Sequence, residues 1–428
     1  MKNIEEKLRI EKNIRLLSNK IGYALLFNLG LTFLFDLSLM ISLKAFLLIF
    51  SAIILQIVFV LISKKNQKAA VFFYIYFYLF VCGCNLFLKF SIFFAVSQSA
   101  SFFILIAATF FSLKVNEKFL PIIAFSSFLL TAIYTSNIFK NGLFLALHNY
   151  KNFTSNGSNL VVYYIVTALV SLTTMTLPFL ELLPKSKTKI SSVLCFKPVK
   201  LKMLFSMVSV GLLVCYFANQ SASFFVKNLE LIGIKNQQIK GLPLDSSQPE
   251  SVFLYVIIIS FLPAVLEEFA FRGLILGSLR KFGDFFAVLV SSILFGIIHL
   301  NTVQSPFAFL AGLILGVLLI ETNSMLPGII LHFVNNFFSS VMDVFEKLYD
   351  ERTVFILGSV IWLIFLVLGV LSFKYITKVK PDFLDVSKNL SRTMPINQCL
   401  KVFMKSKGMI VAFIVISVLF VMFNKNSA

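Results

Sequence analysis

Two adjacent carboxylates and an arginine, in Leu266-Glu267-Glu268-Phe269-Ala270-Phe271-Arg272-Gly273, interrupt a stretch that is otherwise apolar. Further on, Phe295-Gly296-Ile297-Ile298-His299 closes a second apolar run, and His332 and Asn336 stand four apart in a third. An ionisable side chain within a membrane-length apolar segment costs roughly 2.5–3.5 kcal/mol on insertion scales, so its presence points to a function. On a helix, Glu268 and Arg272 share a face and can pair. Glu267 is rotated by about 100° from Glu268 and is less directly neutralised. Neighbouring carboxylates in unlike environments allow one to stay ionised while the other accepts a proton. A purely structural ion pair would account for Glu268 and Arg272 but would leave Glu267 as an unmotivated cost.

Phe295 precedes His299 by one turn, so its ring can pack on the imidazole; a histidine there can equally serve as a hydrogen bond between helices. His332 and Asn336 can reach a single point, and Asn335 is the less suited partner. Asp343, eleven residues after His332, returns to nearly the same face and would line a polar crevice. The third histidine, His148, sits beside Asn149 in a polar loop and reads as surface. A glutamate and a histidine can hold and deprotonate water. A second histidine with an asparagine can donate hydrogen bonds to an oxyanion. The same side chains, Glu267, His299 and His332, are also competent ligands for a zinc ion and its water. There is no His-Glu-x-x-His helix, no serine in a nucleophile elbow and no thiol in the cluster, so direct attack by water is favoured over covalent catalysis.

These residues must be positioned by membrane helices. The 428-residue chain is 58% hydrophobic and only 13% charged, with 52 phenylalanines. That departs far from the usual soluble composition and excludes disorder, which needs low hydrophobicity. Apolar runs predict an all-α, polytopic transmembrane bundle of about thirteen spans. They fall near 21–40, 43–63, 70–90, 92–113, 119–139, 160–182, 203–223, 250–279, 284–303, 306–322, 326–346, 354–373 and 408–423. Residues 1–20 mix apolar positions with charge and predict an interfacial amphipathic segment. Residues 21–183 form an N-terminal six-span region, 203–373 a core whose motifs lie within 250–346, and 374–428 a basic loop with the last span. Asp36 and Lys89, near span ends in the first half, read as snorkelling side chains.

The net charge of +19 is explained by topology rather than by nucleic acid, because the basic residues lie in loops between apolar runs. Lys64, Lys65 and Lys68 stand in one such loop, Lys185 to Lys202 in another, and Arg280 and Lys281 in a third. Segment 374–407 carries eight basic residues and two Asp. Nearly every second loop is basic, which the positive-inside rule reads as a cytoplasmic N-terminus and, after thirteen spans, an external C-terminus. The expected location is the cell membrane. The five cysteines show neither paired metal spacing nor a disulfide framework.

In order, Glu267-Glu268-x-x-x-Arg272, Phe295-x-x-x-His299 and His332-x-x-x-Asn336 resemble the three motifs of the CAAX protease and bacteriocin-processing family. That family comprises intramembrane endopeptidases related to the type II CAAX prenyl endopeptidase. The resemblance covers roughly 250–346. It implies that Glu267, aided by His299, activates water, that His332 and Asn336 stabilise the oxyanion, and that Glu268, Arg272 and Phe295 support the site. It also implies an optional zinc ion and a membrane-associated, sometimes lipidated, protein or peptide substrate. Two other readings use the same residues: a non-catalytic immunity or scaffold protein of this fold, and a proton-coupled transporter. The absence of an internal repeat counts against the last.

One geometric condition follows. At 1.5 Å per residue, His299 would lie about 22 Å along its span from Asp284, whereas His332 lies only about 8 Å beyond Pro327. For both to meet Glu267, span nine or ten must be short, tilted or broken, and the two imidazoles must come within about 12 Å.

Overall fold

Apolar runs of membrane length can satisfy their backbone groups in lipid only as helices or closed barrels. The computed structural model describes residues 2–41, 160–183, 193–231, 244–383 and 394–425, and among them every regular element is helical, apart from one isolated bridge between Phe196 and Ser324. The spans expected at 43–63, 70–90, 92–113 and 119–139, with Cys82, Cys84, Lys89 and His148, lie outside the described residues. The chain divides into two compact units, Met1–Leu29 with Leu160–Ala428, and Gly30–Asn159. The described part of the second is the end of the first helix; the candidate site lies wholly in the first unit.

The helices are α1 (Lys2–Ile41), α2 (Leu160–Thr176), α3 (Leu201–Leu231), α4 (Pro249–Phe282), α5 (Asp284–Ile297), α6 (Gln304–Thr322), α7 (Leu326–Leu348), α8 (Glu351–Val379), α9 (Ile396–Met404) and α10 (Lys407–Lys425). Among the described residues five, α3, α4, α6, α7 and α8, are long and apolar enough to cross a membrane. α9 and the start of α10 meet that description together as a pair bent by 71°. α1 runs unbroken from the segment 1–20 into the first expected span.

The expected span 284–303 is shorter than its apolar run. α5 holds 14 residues, about 21 Å at the helical rise and well under the roughly 30 Å hydrocarbon core. Its end is made by Leu300, whose backbone adopts the left-handed conformation with φ 56°. The chain then turns directly into α6. Small residues let this hairpin close tightly: an added Cβ on Gly312 would lie 3.1 Å from Ser292, and one on Gly316 would lie 2.9 Å from Val288. Ser291 Oγ donates to the Phe271 carbonyl at 2.9 Å and fastens α5 to α4.

One side of the unit gathers the loop ends. Arg280, at the end of α4, pairs with Asp284 at 3.0 Å and donates to Asn323 Oδ1 at 2.7 Å, just past α6. Lys380, just past α8, pairs with Glu321 of α6 at 2.6 Å. The Met325 amide donates to the Cys195 carbonyl at 2.7 Å, bringing the extended chain before α3 to the start of α7. Lys197, Lys200 and Lys202 follow Cys195 in this stretch of chain, and Lys281 follows Arg280 at the end of α4. On the other side, Asp350 caps α8 by accepting from the Thr353 hydroxyl at 2.7 Å and its amide at 3.1 Å. Those bonds hold its carboxyl below the usual carboxylate range.

Candidate functional site

The site is built from α4, the end of α5 and the first half of α7. α4 is a single membrane-length rod, but it is not uniformly α-helical. Ile257–Phe261 and Glu268–Leu276 are wound as π-helix, with the wider i→i+5 bonding seen where the Gly277 amide meets the Arg272 carbonyl. Such turns are rare and cluster at functional sites. Pro263 contributes to the first of them. It has no N–H to offer the Ile259 carbonyl four residues earlier, and Asn336 Nδ2 of α7 donates to that carbonyl instead, at 3.4 Å.

The two adjacent carboxylates have separate environments. Glu268 is buried, with 1% exposure, as is Arg272; Nη1 of the arginine lies 3.0 Å from Glu268 Oε1. The same oxygen lies 3.1 Å from His332 Nδ1. An ionised carboxylate only accepts, so Nδ1 carries the proton and His332 turns Nε2 outward. Nε2 lies 3.9 Å from Glu267 Oε2, and Glu267 is 19% exposed. Arg272–Glu268–His332 is therefore a buried charged chain with Glu267 at its open end.

Phe295 connects this chain to His299. The Arg272 guanidinium lies 4.1 Å from the centre of the Phe295 ring, a cation–π contact in a desolvated place. The ring stands edge-on to His299 at 5.1 Å and to His332 at 6.0 Å. The two imidazoles are thus within about 11 Å of each other, inside the limit that convergence required, with His299 following directly on the truncated α5. His299 Nδ1 lies 2.7 Å from the Phe295 carbonyl. A carbonyl also only accepts, so Nδ1 is again the protonated nitrogen and Nε2 the free one.

Of the seven residues singled out from sequence, the structure joins Glu267, Glu268, Arg272, Phe295, His299 and His332 through these contacts. Asn336 is placed against Ile259, one turn from His332, and Asn335 donates to it at 3.3 Å. Asp343 is joined to Tyr255, whose hydroxyl donates to it at 2.7 Å. The pairing of His332 with Glu268 was not anticipated; the sequence reading paired His332 with Asn336. As for zinc, Glu267, His299 and His332 are not gathered closely enough to serve as one ligand set. Among the described residues no group of three His, Cys, Asp or Glu is so arranged. The placed side chains do not fit a three-ligand zinc site.

Gly328 is a site residue that the sequence reading missed. It stands in the first turn of α7, and a Cβ there would lie 3.2 Å from Glu268 Oε2. The glycine lets the carboxylate approach the helix N-terminus, where the macrodipole favours a negative charge. Its signal was a glycine directly after Pro327 in the opening turn, a residue helices disfavour without a reason of this kind. Glu268 cannot retreat, because Arg272 and His332 hold its other oxygen. Gly328→Ala should therefore lower stability by about 1–2 kcal/mol despite its better helix propensity. Gly358→Ala, whose added methyl would meet only the flexible end of Met342 at 3.4 Å, should be neutral or stabilising by up to about 1 kcal/mol. Thermal unfolding in detergent compares the two.

No curated protein and no solved structure matches the chain. A family model does, over residues 249–338, under a quarter of its length. That interval runs from the start of α4 into α7 and holds all seven residues above, together with Gly328. The same family relationship that the three spaced motifs suggested is thus found independently: residues 249–338 are similar to the type II CAAX prenyl endopeptidase Rce1-like family.

Proposed function

We propose that this protein is an intramembrane endopeptidase that hydrolyses a peptide bond in membrane-associated proteins or peptides, lipid-modified ones among them. The observation that carries the reading is the pair Glu267 Oε2 and His332 Nε2, 3.9 Å apart at the open end of a buried Arg272–Glu268–His332 chain. In this reading Glu267 takes a proton from water as the water oxygen attacks the scissile carbonyl carbon. His299 Nε2 accepts a hydrogen bond from the second O–H, which stays on the attacking oxygen, and so aims the water. Charge on the carbonyl oxygen is met by the Asn336 amide and by His332, acting in this step as an imidazolium with a proton on both ring nitrogens. The carbon–nitrogen bond then breaks, and the proton held by Glu267 passes to the leaving amine. Arg272 pairs with Glu268, and Glu268 fixes the orientation of His332. No step runs through a metal, since the side chains do not form a ligand set.

The topology that goes with this reading has thirteen spans in the cell membrane, with the N-terminus cytoplasmic and the C-terminus outside. The gathered ends of α4, α6 and α8, with basic residues on α4 and α8, then face the cytoplasm, and scission takes place towards that side.

The test compares membranes from cells carrying the wild-type protein with those carrying Glu267→Ala, by quantitative peptide mapping, with and without a strong zinc chelator. Cleavage products should disappear in the variant and persist with the chelator. Products that survive Glu267→Ala would refute the mechanism. Loss under chelation that only zinc restores would overturn the metal-free part alone. Proton-coupled flux in liposomes that vanishes with Glu267→Gln would favour the transporter reading instead.

A further inference from the structure

His299 lies beyond the last turn of α5, where nothing in a regular helix holds it. The helix runs out in tight bonds, from the His299 amide to the Gly296 carbonyl and from the Leu300 amide to the Ile297 carbonyl, both 3.3 Å. Leu300 then reverses the chain at φ 56°, a conformation disfavoured for a residue with a Cβ. Left to itself, such an end frays, and its carbonyls lack partners.

One side chain answers both needs. Asn301 Nδ2 donates to the His299 carbonyl at 2.8 Å, and also meets Gln304 Oε1 at 3.0 Å. Its Oδ1 accepts from the Gln304 amide at 2.6 Å and from the Val303 amide at 3.1 Å. The oxygen therefore caps the start of α6, while the nitrogen holds the backbone of the residue that carries the catalytic imidazole. Asn301-Thr302-Val303-Gln304 has the spacing of a capping box, but an ordinary cap requires only the oxygen. The nitrogen is explained by His299.

We propose that Asn301 is a positioning residue: it sets the depth and direction of His299 by tying that residue's carbonyl to the α6 cap. The proposal rests on the hydrolytic reading for its catalytic consequence but not for its geometry. With the backbone held, the His299 ring keeps its Nδ1–H on the Phe295 carbonyl and its Nε2 free. Without the amide, the strained turn at Leu300 relaxes, and the ring loses its single tautomer.

Asn301→Asp and Asn301→Ser separate the two duties, since both keep a capping oxygen and both lose the amide nitrogen. Using both also removes the added charge of aspartate as an explanation. The chain has three histidines, so labelling them with nitrogen-15 in the full-length protein in micelles gives three ring systems, with that of His299 identified by its loss in His299→Gln. In the wild type His299 should report a single Nδ1-protonated tautomer. In both variants it should move to a mixture, while His332 keeps its signals and so reports an intact fold. Turnover should fall about tenfold to a hundredfold with KM changed less than about twofold, as misplacement of a catalytic group by about 1 Å predicts. A His299 ring unchanged in both variants would overturn the proposal, whatever the activity. A ring that shifts, in a protein whose cleavage depends on neither Asn301 nor Glu267, would leave the positioning intact and remove the hydrolytic reading.

Discussion

Glu267→Gln should reduce peptide hydrolysis by about a thousandfold or more and leave the melting temperature unchanged. The rate effect is that of removing a general base, typically worth 10²–10⁴, at a group that must also take the proton on to the leaving amine. The stability half of the prediction follows from the structure. Glu267 retains 19% exposure, and its closest charged partner, His332 Nε2, is 3.9 Å away, too far for a hydrogen bond. Removing its charge therefore orphans no buried group. Glu267→Asp keeps the charge but retracts it by one methylene and should recover part of the rate, remaining about tenfold to a hundredfold slow. Kinetics on a fluorogenic membrane peptide, beside thermal unfolding in the same detergent, give both readings. A Gln variant that is slow only because it melts earlier would mean that Glu267 is structural.

Arg272→Met should do the reverse and destabilise the protein by about 3–5 kcal/mol, the usual cost of leaving one member of a buried ion pair without its partner. Arg272 and Glu268 are each 1% exposed. Around them are Phe295, whose ring the guanidinium covers, and the tightly packed α5–α6 hairpin. Once Arg272 is lost, Glu268 has only His332 and the first turn of α7 to stabilise its charge. Combining Arg272→Met with Glu268→Gln removes the orphaned charge and should restore more than half of the lost stability, because an apolar pair in such a place is often as stable as an ionic one. The double variant should still be strongly impaired, since the charge that orients His332 is gone and a glutamine there can turn its NH2 group instead of its oxygen towards the imidazole. Equal melting temperatures for the single and double variants would show that an orphaned Glu268 charge is not what destabilises the single variant.

How far the site was legible differs from residue to residue. The pairing of Glu268 with Arg272 and the edge-on contact of Phe295 with His299 both follow from a spacing of four, a property local to one helix. The bond from His332 to Glu268 spans 64 residues of sequence, and no periodicity within α7 could have revealed it. His332 and Asn336 share a face, as their spacing requires, but the packing of α4 against that face decides what each of them meets. Asn301 shows a different limit. Its capping-box spacing was readable, yet the surrounding residues are apolar enough for a longer helix, and hydropathy alone ran the span to 303. The helix ends at 297 because a left-handed Leu300 and the start of α6 end it there. Pro263 likewise marks a carbonyl that needs a donor without saying which donor will come.

The sequence by itself determined that this is an α-helical membrane protein with its chemistry confined to a few polar residues, and that residues 249–338 resemble an endopeptidase family. Composition, loop charge and motif spacing are properties of the chain read along its length, and burial in lipid makes them unambiguous. Only the tertiary structure decided that α5 stops short, that His332 joins the Arg272–Glu268 pair, that Glu267 is left open, that Asn301 meets the His299 carbonyl and that Gly328 faces Glu268. Each of these depends on how closely two helices approach, which is set by packing between residues far apart in the chain.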